Sequence, residues 1–555
     1  MPLALMPLVL ALAAAAPMPP AAPAPDPLRA TDAQMQWWRE ARFGLFIHWG
    51  PVSIAGTEIG WSRGGERRGT GGTGEIPVEV YDNLYKKFNP VRFDAAEWVA
   101  IAKAAGMKYL VFTSRHHDGF SMFDTKLSDY KITASPFGRD VVKELGDACR
   151  AAGLKFGLYY SPPDWHHPDY RTERHGRFIE FLHGQLRELC TGYGTVDIIW
   201  FDGLGGSAAD WGSARLIPMI RQLQPGVIIN NRAGLPCDHD TPEQEIGRFQ
   251  RGRAWESCIT ICRQWAWKPN DALKSLRECI HTLVRCAGGD GNLLLNVGPM
   301  PAGEIEPRQV ARLKEIGAWL AAHGESIYGT RGGPFIPGPW GASTCKGNNV
   351  YVHVLDWSRA ADGLVLPPLP GKIVRSAVLT GGAAQVAQSP DAITIAVAPK
   401  DRDPIDTLVV LTLDGPAEDI APIAAASGSL AAGKKARASN VYMGNPAHGP
   451  DKAVDDDDGT RWATDAGVKE AWLEIDLGAP MTFDRAAISE EYDRVTAFEL
   501  RAKQGDAWAA FFKGDRIGRR GAFSFPAVTA QVVRLQILSA RDGPTIWEFQ
   551  LFKAR

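Results

Sequence analysis

Carboxylates, imidazoles and aromatic rings stand in this chain at the ends of short apolar runs. FGLFIHWG closes on His48 and Trp49, and YLVFTSRHHDGF on His116, His117 and Asp118. FGLYYSPPDW carries Tyr159, Tyr160, Asp164 and Trp165, DIIWFDG carries Trp200 and Asp202, and VIINNR carries Asn230 and Asn231. Polar tips on rigid strands can read hydroxyl groups, and aromatic faces can pack on the C–H side of a sugar ring. A carboxylate in such a pocket can serve as a nucleophile or exchange a proton. A metal centre is the rival use of three histidines. His116 and His117 are adjacent, however, and would point to opposite faces of a strand unless the chain bends there. Cys258 and Cys262 have no partner pair at zinc spacing either. A hydroxyl-reading pocket is the better fit.

Such residues must be held by a scaffold. From Thr31 to Thr330, apolar runs alternate with longer amphipathic segments. The runs include Phe43–Trp49, Tyr109–Thr113, Phe156–Ser161, Asp197–Asp202, Val227–Asn230 and Asn292–Val297. Helix-like segments lie between them at Asp94–Ala105, Arg139–Ala152, Arg177–Cys190, Arg215–Gln224 and Ala272–Ala287. Repeated strand–helix units predict parallel βαβ construction, and their number suits a TIM-like (β/α) barrel. Function in a barrel gathers where strands end, which is where these clusters fall. No GxGxxG turn follows the first strand, which argues against a dinucleotide fold. After Gly332 the texture becomes all-β, with short runs separated by Gly, Pro and Asp.

The expected organisation of the 555 residues is a leader and spacer over 1–27, a (β/α) barrel over 28–333 and a small β-sandwich over 334–415. A linker over 416–434 and a second β-sandwich over 435–555 follow. The opening apolar run and Pro/Ala tract have the form of a signal peptide, which implies a secreted or periplasmic protein. No later stretch is long and apolar enough to span a bilayer. Sixty-one Lys+Arg against 63 Asp+Glu leave no electrostatic case for nucleic acid. Eighteen Trp suit either large cores or sugar binding. The eight Cys permit disulfides without showing them.

WWREARFGLFIHWG, TSRHHDGF, FGLYYSPPDW, WFDG, RAWESCITI and GDGNLLLNVGPMPAGEI, in this order over residues 31–333, resemble the signature segments of glycoside hydrolase family 29, the α-L-fucosidases. The resemblance implies an exo-acting, retaining fucosidase without a catalytic cofactor, working on a fucosylated oligosaccharide or glycoconjugate. It makes Asp202 the nucleophile. It makes His48, His116 and His117 the groups that bind the fucose hydroxyls, with Tyr159 beside the nucleophile and Trp200 in the pocket wall. Glu58 and Trp61 match a Glu/Trp element of the first long loop. For the acid/base, WESC resembles a segment that carries it in some members, which favours Glu256. Glu243 and Glu245 in TPEQE are the alternatives, and a buried pairing of Glu256 with Arg253 or Arg263 is the non-catalytic reading. A retaining glycosidase needs its two carboxyls about 5–5.5 Å apart, one ionised and one able to hold a proton.

KARASN, KAVDDDDGTRWATD, AWLEIDLG and IWEFQLF resemble the discoidin (coagulation factor 5/8 type C) domain, a β-sandwich shared by many carbohydrate-binding modules. That resemblance implies a structural Ca2+ held by Asp455, Asp457, Thr460 and Glu548, all oxygen ligands. Two rival functions stand beside the fucosidase. One is a barrel glycosidase acting on a stereochemically related sugar such as an α-D-galactoside. The other is a non-catalytic carbohydrate-binding protein.

Overall fold

The computed structural model describes residues 26–360, 363–424, 428–457, 460–519 and 521–554. The leader expected over 1–27 therefore lies almost wholly outside the described residues.

Eight parallel strands form the first sheet: β1 (Phe43–Ile47), β2 (Tyr109–Arg115), β3 (Lys155–Tyr160), β4 (Ile198–Phe201), β5 (Ile228–Ile229), β6 (His239–Asp240), β7 (Ala254–Thr260) and β8 (Asn292–Val297). Their spatial order is β5-β4-β3-β2-β1-β8-β7-β6. A parallel bridge between Asn230 and His239 joins the two outer strands, so the sheet closes into a barrel. The strands are buried on both faces, as parallel strands covered by helices must be. Helix starts follow local chemistry. Asp94 caps Ala95–Ala104 and Asp140 caps Val141–Ala151, each accepting from backbone N–H groups of the first turn. Ser275 and Glu278 form a reciprocal capping box ahead of Leu276–Gly288.

The sequence pattern anticipates this barrel but not two of its strands. β6 has two residues and β7 interrupts its apolar pattern with Glu256 and Ser257. The connections β5–β6 and β6–β7 carry no α-helix. Two irregular loops, 230–238 and 241–253, therefore take the place of helices on this side of the barrel.

The remainder is all-β. One unit packs a five-stranded sheet against a three-stranded one over a core that includes Phe335, Val352, Ile395 and Leu411. The other is a seven-stranded assembly built on two long strands, Ala471–Glu490 and Gly521–Ala540. Residues 416–434, expected as a linker, contribute to both neighbouring cores. Ala417 and Ile420 join the middle core, and Ala431 joins the C-terminal one. All eight cysteines are buried free thiols. Burial pushes several of them up, Cys149 to about 12, which suppresses the reactive thiolate.

Candidate active site

Asp202 follows β4 directly, at the C-terminal rim of the barrel. Its Oδ2 accepts from the Tyr159 hydroxyl at 2.9 Å and lies 3.5 Å from His117 Nε2. Its Oδ1 accepts from Arg232 Nη1 at 3.1 Å. Burial by itself raises the carboxyl, but the Arg232 guanidinium and the Tyr159 hydrogen bond outweigh it and carry the group below 3.8. Asp202 is thus held as a carboxylate.

The imidazoles are arranged as acceptors. Asn296 donates its amide N–H to the Trp265 carbonyl at 2.8 Å, which leaves its Oδ1 to accept from His48 Nδ1 at 2.7 Å. Ser161 donates to the Pro163 carbonyl at 2.6 Å, so its oxygen accepts from His117 Nδ1 at 2.6 Å. One proton per neutral ring then leaves Nε2 of both residues with a free lone pair. Burial pushes His48 down to about 3 and His117 to about 4. It also holds His116 well below 6.5. His116 lies parallel to the Tyr159 ring, centroids 5.3 Å apart. Gly60, at φ +66°, passes so close that a Cβ there would meet His116 Nδ1 at 2.7 Å. The first long loop is thereby seated on the imidazole cluster.

The rest of the wall is aromatic. Trp200 stacks on Tyr159 at 5.7 Å, and Trp61 meets His117 edge-on at 5.6 Å. Glu58 spends its oxygens on the backbone N–H groups of Trp265 and Ala266, at 2.9 and 3.0 Å. It pins the turn that lays Trp265 against His48, ring centroids 4.8 Å apart.

The three glutamates expected to compete for one role fall in three different places. Glu256 is fully buried at the opposite end of the barrel. It pairs in register with Asn292, the first residue of β8, and accepts from the hydroxyl of Tyr109, the first residue of β2. Its other oxygen accepts from Trp200 Nε1 at 3.2 Å. Gly44 makes the room: a Cβ there would overlap the Tyr109 ring. Glu256 therefore does not reach the rim, which corrects the sequence preference for it. The reason is strand phase, because the third residue of β7 sits low in the barrel while a strand-end residue sits high. The arginine pairing also fails, since Arg253 bonds Asp240 at 2.9 Å.

Glu245 is exposed and pairs with Arg519. Glu243 is the glutamate beside Asp202. Its Oε2 lies 2.7 Å from Arg232 Nη1, the nitrogen that also binds Asp202 Oδ1 at 3.1 Å. Two oxygens on one nitrogen at those distances are at most about 5.8 Å apart. The Glu243 side chain keeps 41% of its surface exposed, against 13% for Asp202. Sequence reasoning missed Arg232 and Trp265. Arg232 does end VIINNR, but an arginine at one strand end carries no signal by itself.

In the C-terminal domain, Asp455 and Thr460 come together, with the hydroxyl 2.8 Å from each Asp455 oxygen. Glu548 is buried. Among the described residues no group of three or more His, Cys, Asp or Glu could hold a metal ion. No step below runs through an ion.

A parallel barrel whose rim holds an ionised carboxylate, a second carboxyl within reach and a cluster of neutral imidazoles defines the class: a two-carboxylate barrel glycosidase. Residues 12–325 match the Alpha-L-fucosidase family, and the chain belongs to that family. Residues 435–549 match the F5/8 type C domain. Human plasma alpha-L-fucosidase is 31% identical over 362 residues, covering 58% of this chain and 76% of the relative. Among solved structures, alpha-L-fucosidase isoenzyme 1 from Paenibacillus thiaminolyticus is 38% identical with a TM-score of 0.62, covering 69% of this chain and 99% of that one. An alpha-L-fucosidase from Bacteroides thetaiotaomicron, trapped as a covalent intermediate with 2-fluoro-fucosyl fluoride, is 27% identical with a TM-score of 0.61. It covers 70% of this chain and 97% of that one.

Proposed function

We propose that the protein is a retaining exo-α-L-fucosidase with Asp202 as nucleophile and Glu243 as acid/base. One observation carries the assignment: both carboxylates sit on the same Arg232 nitrogen, within the short separation that a double displacement requires. In the first step an Asp202 oxygen bonds the anomeric carbon as the glycosidic C–O bond breaks, and Glu243 protonates the departing oxygen. In the second step Glu243 takes a proton from water, which attacks the anomeric carbon and frees Asp202. Two inversions return the α configuration.

The rest of the site selects the sugar. The bare Nε2 atoms of His48 and His117 accept hydrogen bonds from ring hydroxyls, and Trp61 and Trp265 supply apolar surface for C–H faces and the 6-methyl group. Among the described residues no helix is long and apolar enough to cross a membrane. Export is supported by the leader-like opening segment and is checked by N-terminal sequencing of protein from periplasm or medium. The Ca2+ expected at Asp455, Asp457, Thr460 and Glu548 also stands as a proposal. It is supported by the closeness of Asp455 and Thr460 and checked by a melting shift between EDTA and added Ca2+.

The decisive experiment is hydrolysis of an aryl α-L-fucoside by Glu243→Ala, Glu245→Ala and Glu256→Ala with and without azide. Revival of Glu243→Ala alone, with release of α-fucosyl azide, is the expected result. Revival of another variant instead removes the assignment.

A further inference from the structure

The loop that carries Glu243 is not held by the barrel alone. Its inner side is pinned to β7: the Gln244 N–H donates to the Cys258 carbonyl at 2.9 Å and the Gly247 N–H to Ser257 Oγ at 3.1 Å. Gly247 rests on Trp255, where a Cβ would come within 2.4 Å of the ring, so the loop cannot move inward. Its outer side is held by the two β-domains. Arg251 donates to the carbonyls of Gly332 and Ile420, at 2.7 and 2.9 Å. Arg248 lies over the Trp547 ring, 3.5 Å from its centroid, and Glu245 pairs with Arg519. Trp547 and Arg519 both belong to the C-terminal domain, on the strand Thr545–Lys553 and the turn after Ala507–Gly514.

We propose that the C-terminal domain is a working part of the catalytic site: Trp547, with Arg519, clamps the loop 243–248 and so positions the acid/base carboxyl. This rests on Glu243 being the acid/base. The physical argument is one of leverage. The Glu243 side chain is exposed; its backbone is bridged to Cys258 of β7, but the loop that follows is irregular where a barrel connection would ordinarily be a helix, so the aim of the side chain also depends on what holds the loop's outer side. A displacement of about 1 Å in a catalytic group can cost a hundredfold in rate. The ring stack is the stronger hold, because the Arg519–Glu245 pair is solvent-exposed and screened. Trp547 and Arg519 are positioning residues that touch no reacting atom. Their signature is selective loss of acid assistance, with sugar binding and Asp202 unaffected.

The test uses the full-length chain with two substrates that share a glycone. α-L-Fucosyl fluoride leaves without a proton, whereas an α-L-fucosyl disaccharide needs one. Because kcat/KM reports only the first chemical step, it isolates the acid role from the base role. Trp547→Ala and Arg248→Met, which remove the same stack from opposite sides, are expected to lower kcat/KM roughly tenfold on the disaccharide and less than about twofold on the fluoride. Arg519→Ala should show the same selectivity more weakly. Lys513→Ala, on the same domain but paired with Glu499 at 2.9 Å, should change neither. Arg248→Met leaves the C-terminal fold untouched and keeps the test open if Trp547→Ala unfolds. Equal losses on both substrates, or no loss, overturn the clamp. If Glu243→Ala is leaving-group-selective in that case, its role as acid/base survives alone. If Glu243→Ala is itself unselective, both readings fall.

Discussion

The two ends of the barrel hold similar residues in opposite electrical states. At the C-terminal rim Asp202 stands with Tyr159, a histidine and, through Tyr159, Trp200; at the closed end Glu256 stands with Tyr109, Trp200 and, 3.9 Å away, His239. Burial pushes Glu256 up to about 7, and the hydrogen bonds from Tyr109 and Trp200 offset only part of it. Asp202 is also buried, though less completely, but it has Arg232 beside it and falls below its ordinary value. Burial raises an acid, and a close cation decides whether it ionises. The rim holds a carboxylate; the floor holds a carboxyl that keeps its proton to about pH 7 and braces Trp200.

Asp202→Asn breaks the contrast most completely. The amide keeps the shape and removes the nucleophile, so kcat on an aryl α-L-fucoside should fall by about 10⁴-fold or more with the melting temperature nearly unchanged. Near-normal turnover in a homogeneous preparation would contradict the rim assignment. Glu243→Gln comes next, with a loss of roughly 10²–10³-fold on substrates whose leaving group needs a proton. α-L-Fucosyl fluoride, whose leaving group needs no proton, should be largely spared, and an equal loss on it would point to another acid.

Arg232→Met sharpens the electrostatic claim. Without the guanidinium, Asp202 titrates at higher pH, so the acidic limb of kcat/KM should move upward, with a loss of roughly tenfold at neutral pH. An unmoved limb would mean that Arg232 does not set the charge of Asp202. Glu256→Gln should matter least to turnover, within about threefold at pH 6, because the residue it replaces is already mostly neutral there. Its effect belongs to stability. The folded state holds the Glu256 proton up to about pH 7, whereas the unfolded chain releases it near 4.5. Wild-type stability therefore declines between those values, and the decline is complete above pH 7. Glu256→Gln removes that decline, a relative gain on the order of 3 kcal/mol at pH 8 if the amide keeps the hydrogen bonds. Urea melts of both proteins across pH 5–8 measure it, and parallel curves would remove the titration from Glu256.

Some of this was legible in one dimension because strand ends announce themselves. An apolar run that closes on HWG, RHHDG or WFDG says both where the strand stops and which groups it presents. The barrel was predictable for the same reason, since burial on both faces writes long apolar runs. β6 was not, being two residues long, and β7 was obscured by the glutamate it buries. Arg232 was invisible as a partner because its value lies in bridging Asp202 to a residue eleven positions further along the chain.

The sequence alone determined the residue types at the rim, the alternation that builds the barrel and the change to β-structure beyond it, since each is written in local periodicity. Which glutamate meets Asp202 was decided only in three dimensions. Strand phase sent Glu256 to the floor, and a helix-less loop swung Glu243 onto Arg232. Charge state, too, was settled by packing, because the field at a carboxylate depends on neighbours that are close in space and distant along the chain.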